Sequence, residues 1–412
     1  MRYGLLGEKL GHSFSKEIHA ALGDYSYDLI EVSRDKLGEF IEKRDFAGLN
    51  VTIPYKEAVI PYLDGIDAGA TDVGAVNTVI NRNGRLYGYN TDVYGMEKLF
   101  SHAKIDVKDS TVAILGSGGT SKTAEAVVKR LGARKVFKVS RNAEGNQISY
   151  DELYAKANEI DILVNTTPMG MFPNTDGAAV DISKFANLRG AIDAVYNPLR
   201  TRMIIEANKR NIRAEGGLYM LVAQAVYASE LFTNTKYDDK VIDRIYKRIL
   251  REKENVVLIG MPACGKSTIG RFLEKMLGRQ VFDSDKIIEK NEKRSIPDIF
   301  REEGEPVFRD IESEVIAKLS DSCGIIISTG GGSILREKNV DNLKKNGRLY
   351  FIDRPLSQLI PTSNRPLAST AEDIERRFNE RYGIYCGVSD VRIDANGSAP
   401  SVAEKIINDL YS

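Results

Sequence analysis

The residues best suited to chemistry stand in one run, Gly260-Met261-Pro262-Ala263-Cys264-Gly265-Lys266-Ser267-Thr268. An apolar stretch, Val256 to Ile259, precedes it, and a helical pattern starts at about Thr268. Strand, glycine loop and helix together form the setting of a phosphate-binding loop. Gly260 and Gly265 let backbone N–H groups turn inward around phosphate oxygens, and the helix N-terminus adds partial positive charge. Lys266 can reach the β- and γ-phosphates, Ser267 can ligate Mg²⁺, and Thr268 is a further candidate nucleotide contact.

Downstream, Phe282-Asp283-Ser284-Asp285 offers two carboxylates to the same loop, one to stand behind Mg²⁺ and one to take a proton from an acceptor hydroxyl. An exposed acidic loop is the plainer alternative. Arg309 has a carboxylate about one helical turn away, a partner to fix its rotamer while its fork faces an anion. Gly330-Gly331-Gly332 ends a strand and allows close backbone approach. Arg365 and Arg381 are further cations; taken singly, each reads more simply as a solvated side chain.

The first half carries a second glycine loop. Thr111–Leu115 runs into Gly116-Ser117-Gly118-Gly119-Thr120-Ser121 and then a helical pattern through about Leu131. On its own this loop reads equally well as a dinucleotide site or a tight turn. Arg141, after the next strand, stands where an NAD site would place a carboxylate, and it suits the 2′-phosphate of NADP. Upstream lie Ser13 and Ser15, Thr52 and Lys56, Asn77, and Asp92. A lysine and an aspartate brought together beside a nicotinamide would relay a proton during carbonyl reduction. An extended segment would turn Ser13 and Ser15 to one side.

These residues need scaffolds. Thr111–Leu115, Lys135–Val139, 160–164 and 190–194 read as one parallel strand set; 256–259, 324–328 and 348–352 read as another, so βαβ units recur. Residues 233–254 read as a charged amphipathic connecting helix in which Val241, Ile242, Ile245, Ile249 and Leu250 recur at helical spacing. At 412 residues the chain is too long for one core. Lys plus Arg and Asp plus Glu balance at 58 each, which gives no field for nucleic acid or an anionic membrane. Three scattered cysteines fit a reducing compartment. No apolar run approaches the ~20 residues of a membrane span, and no signal-peptide pattern opens the chain, so a cytoplasmic α/β protein is expected.

Over roughly residues 1–245 the chain resembles shikimate dehydrogenase. The motifs are H-S-x-S (12–15), N-V-T-x-P-x-K (50–56), G-A-x-N-T (74–78), N-T-D (90–92), Asn165-Thr-Thr-Pro-Met-Gly-Met171 and Gly216-Gly-Leu-Tyr-Met-Leu-Val-Ala-Gln224. The resemblance implies that Ser13, Ser15, Thr52, Asn77, Asp92 and Gln224 hold substrate, with Lys56 as catalytic acid/base paired with Asp92. It places Gly116, Gly118, Gly119, Thr120, Arg141, Thr166, Met169 and Gly217 at NADPH, with Tyr196 near the nicotinamide end. Over residues 254–412 the chain resembles shikimate kinase through its phosphate loop, D-x-D, G-E-x-x-F-R-x-x-E, G-G-G and R-P-L motifs. That implies Asp285 as activator of the acceptor hydroxyl and Asp283 behind Mg²⁺. Arg309, Arg381, Gly331 and Gly332 would hold the substrate, and Arg365 would belong to a lid from about 356 to 367.

The implied architecture is a substrate-binding domain (1–101, completed by a helix at about 218–245), a Rossmann NADP domain (102–217), a connecting helix (233–254) and a kinase domain of the nucleoside monophosphate kinase type (255–412). The implied function is reduction of 3-dehydroshikimate followed by phosphorylation of shikimate. The alternatives are a quinate/shikimate dehydrogenase fused to a related small-metabolite kinase, and a metabolite-sensing regulator on the same two domains. Homo-oligomerisation stays open.

Overall fold

The computed structural model describes residues 2–10, 14–238, 240–359 and 370–412. The chain divides into two compact units, Met1–Ile249 and Leu250–Ser412.

The first unit contains two sheets. Six strands, β1 (Tyr3–Gly7), β2 (Tyr27–Glu31), β3 (Gly48–Val51), β4 (Gly65–Ile66), β5 (Thr78–Arg82) and β6 (Arg85–Tyr89), form a mixed sheet in the order β2-β1-β3-β5-β6-β4. β1 runs parallel to β2 and β3, while β3–β5 and β5–β6 are antiparallel. Leu6, Ile41, Leu49, Val79 and Leu86 fill the core on this sheet. The helix Thr91–His102 follows, capped by the Asn90 side chain, which accepts from the Val93 N–H. It lies against the later helix Leu218–Thr233, which is buried on most sides.

The second sheet comprises β7 (Thr111–Leu115), β8 (Lys135–Val139), β9 (Gln147–Ile148), β10 (Ile162–Asn165), β11 (Gly190–Asp193) and β12 (Arg213–Glu215), in the order β12-β11-β10-β7-β8-β9. Every pairing is parallel. The central strand β7 is buried along its length, which is why its sequence reads as a continuous apolar run rather than an alternation. Strand order reverses at β7, and in open parallel sheets the crevice at such a switch point receives the ligand.

The helix Lys240–Lys253 buries Val241, Ile242, Ile245 and Ile249. Asp243 accepts from the Tyr219 hydroxyl at 2.7 Å, and the rings of His102, Tyr219 and Tyr246 cluster at 3.9–5.1 Å. The helix read from sequence as a connector therefore meets the first unit through Asp243 and Tyr246.

The second unit is one five-stranded parallel sheet: β13 (Asn255–Ile259), β14 (Val281–Asp283), β15 (Ile326–Ser328), β16 (Gly347–Asp353) and β17 (Val391–Asp394), in the order β14-β15-β13-β16-β17. Central strand β13 is fully buried and delivers the chain to the phosphate loop. Its core is its own, built from residues such as Leu258, Ile269, Ile316, Leu349 and Tyr385. Among the described residues no helix is long and apolar enough to cross a membrane.

Candidate active sites

In the first unit, Lys56 and Asp92 meet: Lys56 Nζ lies 2.5 Å from Asp92 Oδ2, with the carboxylate side chain only 5% exposed and the lysine 18%. Asp92 sits in the first turn of the Thr91–His102 helix, where a negative charge is favoured by the helix dipole. Asn77 is buried beside it and accepts from the Thr91 N–H at 2.7 Å. Asn50 bridges Tyr27 and Thr78, so the β3 and β5 ends form one hydrogen-bonded floor. Thr52 is half-buried at the end of β3. Gln224 projects from the Leu218–Thr233 helix toward Gly95, whose Cβ position would lie 3.1 Å from the glutamine Cβ.

Ser15 does not lie in an extended segment as expected; it begins the helix Ser15–Ala20 and is buried. Ile18 and His19 on the same turn bury a face there, and Phe14, just before it, already has helical backbone angles. The Phe14 ring packs 5.4 Å from that of Tyr196. Ser13 lies outside the described residues.

The glycine loop follows β7. Gly116 has φ +115°, and a Cβ there would stand 2.8 Å from Thr166 Oγ1, so only glycine fits. Thr166 donates its hydroxyl to the Leu115 carbonyl at 2.6 Å, which turns this side chain inward to brace the loop. Gly118 caps the 12-residue helix Gly119–Arg130, and Thr120 lies in its first turn. These N–H groups and the helix dipole suit a pyrophosphate. Lys56 stands over this loop: its Cδ is 4.0 Å from the Cβ position of Gly119. Lys122, on the same helix, pairs with Glu57 at 2.7 Å. Arg141 is exposed just beyond β8, the neighbour of β7. Met169 is 43% exposed. Gly217 donates its N–H to the Val195 carbonyl at 2.9 Å.

Sequence reasoning missed Asp193. It ends β11 in register with Asn165 at the end of β10. Its carboxylate accepts from Asn165 Nδ2 and the Val195 N–H, both at 2.9 Å, and from the Thr201 hydroxyl at 2.6 Å. Burial raises its pKa to about 6, against the lowering effect of those three donors. The available signal was an aspartate closing an otherwise apolar strand, Gly190-Ala-Ile-Asp193.

In the second unit a cavity of about 490 Å³ opens between the phosphate loop, Asp283, Asp285, Arg309, Gly330–Gly332, Arg377 and Arg381. Gly260 and Gly265 have φ +149° and +99°. Lys266 is buried, and its ammonium donates to the carbonyls of Gly260 and Met261 at 2.8 and 3.0 Å. Ser267 donates to Asp283 Oδ2 at 2.6 Å, while Asp283 Oδ1 caps the helix Ser284–Glu292. Thr268 is exposed one residue further on. Asp285 lies close to Gly330, whose Cβ position would be 2.7 Å from Asp285 Oδ1.

Arg309 is held by Glu312 at 2.7 Å and by Glu305 at 3.0 Å, and Glu312 also accepts from the Ser333 hydroxyl at 2.6 Å. A Cβ at Gly332 would fall on the Arg309 guanidinium. Arg381 donates to the Gly331 carbonyl at 3.2 Å. Tyr385, fully buried, donates to that same carbonyl and lies 3.0 Å from the carbonyl of Gly260. The lid expectation is covered only at its start, where Leu356–Gln358 forms a short 3₁₀ turn; Arg365 lies outside the described residues.

A parallel dinucleotide fold beside a lysine–carboxylate pair defines an oxidoreductase. A phosphate loop facing a carboxylate and clamped arginines defines a small-molecule kinase. Comparison with known proteins narrows both. A family model described as the shikimate dehydrogenase substrate binding domain matches residues 5–79, and one described as shikimate kinase matches residues 262–411. A shikimate dehydrogenase (NADP(+)) of Clostridium beijerinckii is 39% identical over 259 residues, covering 59% of this chain and 96% of that protein. The structure of a chorismate mutase/shikimate 5-dehydrogenase fusion protein from Clostridium acetobutylicum aligns with a TM-score of 0.57 and 35% identity, over 60% of this chain and 96% of that one. A Thermus thermophilus shikimate 5-dehydrogenase in complex with NADP(H) and shikimate aligns with a TM-score of 0.55 and 28% identity, over 60% and 99%. The chain belongs to the shikimate dehydrogenase family through its first unit and carries a shikimate kinase domain in its second, which makes it a bifunctional enzyme of the shikimate pathway. The quinate and metabolite-sensor alternatives are not favoured.

Proposed function

We propose that the first unit reduces the ring ketone of 3-dehydroshikimate with NADPH and that the second transfers the γ-phosphoryl group of MgATP to the resulting shikimate. The observation that supports this most directly is one shared by both units: a proton-handling side chain stands beside a phosphate-binding glycine loop. Lys56 overhangs Gly119, and Asp285 faces the cavity that Lys266 also lines.

NADPH supplies a hydride when bound. Lys56 donates a proton to the ketone oxygen as the alkoxide develops, and Asp92 holds the ammonium in place. Asn77, Thr52, Ser15 and Gln224 orient the ring, and Arg141 receives the adenosine 2′-phosphate. In the kinase unit, Lys266 exchanges its loop carbonyls for phosphate oxygens, and Asp285 takes the proton of the attacking hydroxyl. Arg309 and Arg381 orient the acceptor carboxylate.

Mg²⁺ suits the paired hydroxyl and carboxylate of Ser267 and Asp283, which are hard oxygen donors. Among the described residues no cluster of three or more His, Cys, Asp or Glu side chains could hold a metal. Ser267 and Asp283 would hold the ion, which would screen phosphate charge when bound. The reading includes a cytoplasmic location.

Lys56→Ala should abolish NADPH oxidation driven by 3-dehydroshikimate while leaving shikimate-dependent ADP release intact, and Lys266→Ala should do the reverse. A variant that keeps its own reaction near the wild-type rate would remove that residue from its role.

A further inference from the structure

The acceptor side of the kinase cavity holds one guanidinium more than the resemblance assigned. Arg377 lies on the helix Ala371–Val388, one turn before Arg381 and on the same buried face. It lines the cavity and is only 8% exposed. Its Nε–H has no hydrogen-bond partner among the described residues. Its two neighbours in the cluster are placed differently. Arg309 is held by Glu305 and Glu312, and Arg381 is tethered to the Gly331 carbonyl. Arg376, next in sequence, turns away to pair with Asp373 at 2.9 Å.

The charges acting on Arg377 are Arg381 and Arg376, which oppose its own, and Asp373 and Glu305, which favour it. Burial and Arg381 together push its pKa down. A buried cation beside another cation is costly unless an anion meets it. Glu305, which acts on Arg377, is also the residue that holds Arg309. Arg377 thus shares its electrostatic surroundings with Arg381 and with Glu305, the partner of Arg309.

We propose that Arg377 is a third arm on the acceptor's carboxylate and that it determines how strongly the kinase unit prefers an anionic acceptor over its neutral counterpart. The proposal rests on the shikimate kinase reading. It adds a charge-assisted donor to a fork already formed by Arg309 and Arg381.

The test compares shikimate with shikimate methyl ester as acceptors for wild type, Arg377→Leu and Arg377→Lys, at saturating MgATP. Losing one charged hydrogen bond to the substrate should lower the acid-over-ester ratio of kcat/KM by about 10- to 100-fold in Arg377→Leu, with part of it restored in Arg377→Lys. The KM for MgATP should not follow. A purely structural role would depress acid and ester alike, and an unchanged ratio would overturn the proposal. A wild-type chain that does not phosphorylate shikimate at all would overturn the kinase reading and the proposal with it. Turnover with an insensitive ratio would overturn the proposal alone.

Discussion

Lys56 and Asp92 show what residue types and order can reveal. Each stood in a recognisable short run, and the structure brings their charged atoms to 2.5 Å. Asp193 shows what they cannot reveal. Its importance comes from enclosure by Asn165, Val195 and Thr201, and enclosure is a property of the folded sheet. Its titration carries a prediction. The folded carboxyl binds its proton more tightly than the unfolded chain does, because its pKa rises from 3.8 to about 6. Its contribution to stability is therefore complete below about pH 4 and is lost as pH climbs to about 6, a change of about 3 kcal/mol. Asp193→Asn should remove that loss, so the variant's melting temperature relative to wild type should rise between pH 4 and 6. Parallel melting curves across that range would show that the group does not titrate there.

At the level of elements, the buried strands β7, β10, β11, β13 and β15, and the nearly buried β16, were legible because burial imposes a continuous apolar run. The edge strands β9 and β17 were not, since short, partly exposed segments carry no clear period. The helix Lys240–Lys253 was legible as amphipathic, but a periodic stripe does not say which surface it covers. The glycine run after β15 was legible as a place for close approach, yet not that Gly332 faces the Arg309 guanidinium. Gly332→Ala should displace that guanidinium from Glu305 and Glu312. It should raise the KM for shikimate about tenfold or more while the KM for MgATP holds, as read in initial-rate assays. Comparable shifts in both constants would indicate a general collapse of the cavity instead.

Across the whole molecule, the division into Met1–Ile249 and Leu250–Ser412 gives each activity its own hydrophobic core. Calorimetry of the intact chain should therefore show two transitions. NADP⁺ at about a hundred times its Kd should stabilise one by about 2.7 kcal/mol, and ADP with Mg²⁺ should raise only the other. A single transition that answers to both ligands would mean the units unfold together. Equal numbers of acidic and basic residues leave no net field to draw in an anionic metabolite.

The hydroxyl of Tyr385 lies against the carbonyls of both Gly260 and Gly331. One oxygen atom thus gauges the span between the phosphate loop on one wall and the glycine run after β15 on the other. In-line displacement tolerates little error in that span. Drift in either wall would be transmitted through this gauge to the other, so changes that retune the donor end should call for matching changes at the acceptor end.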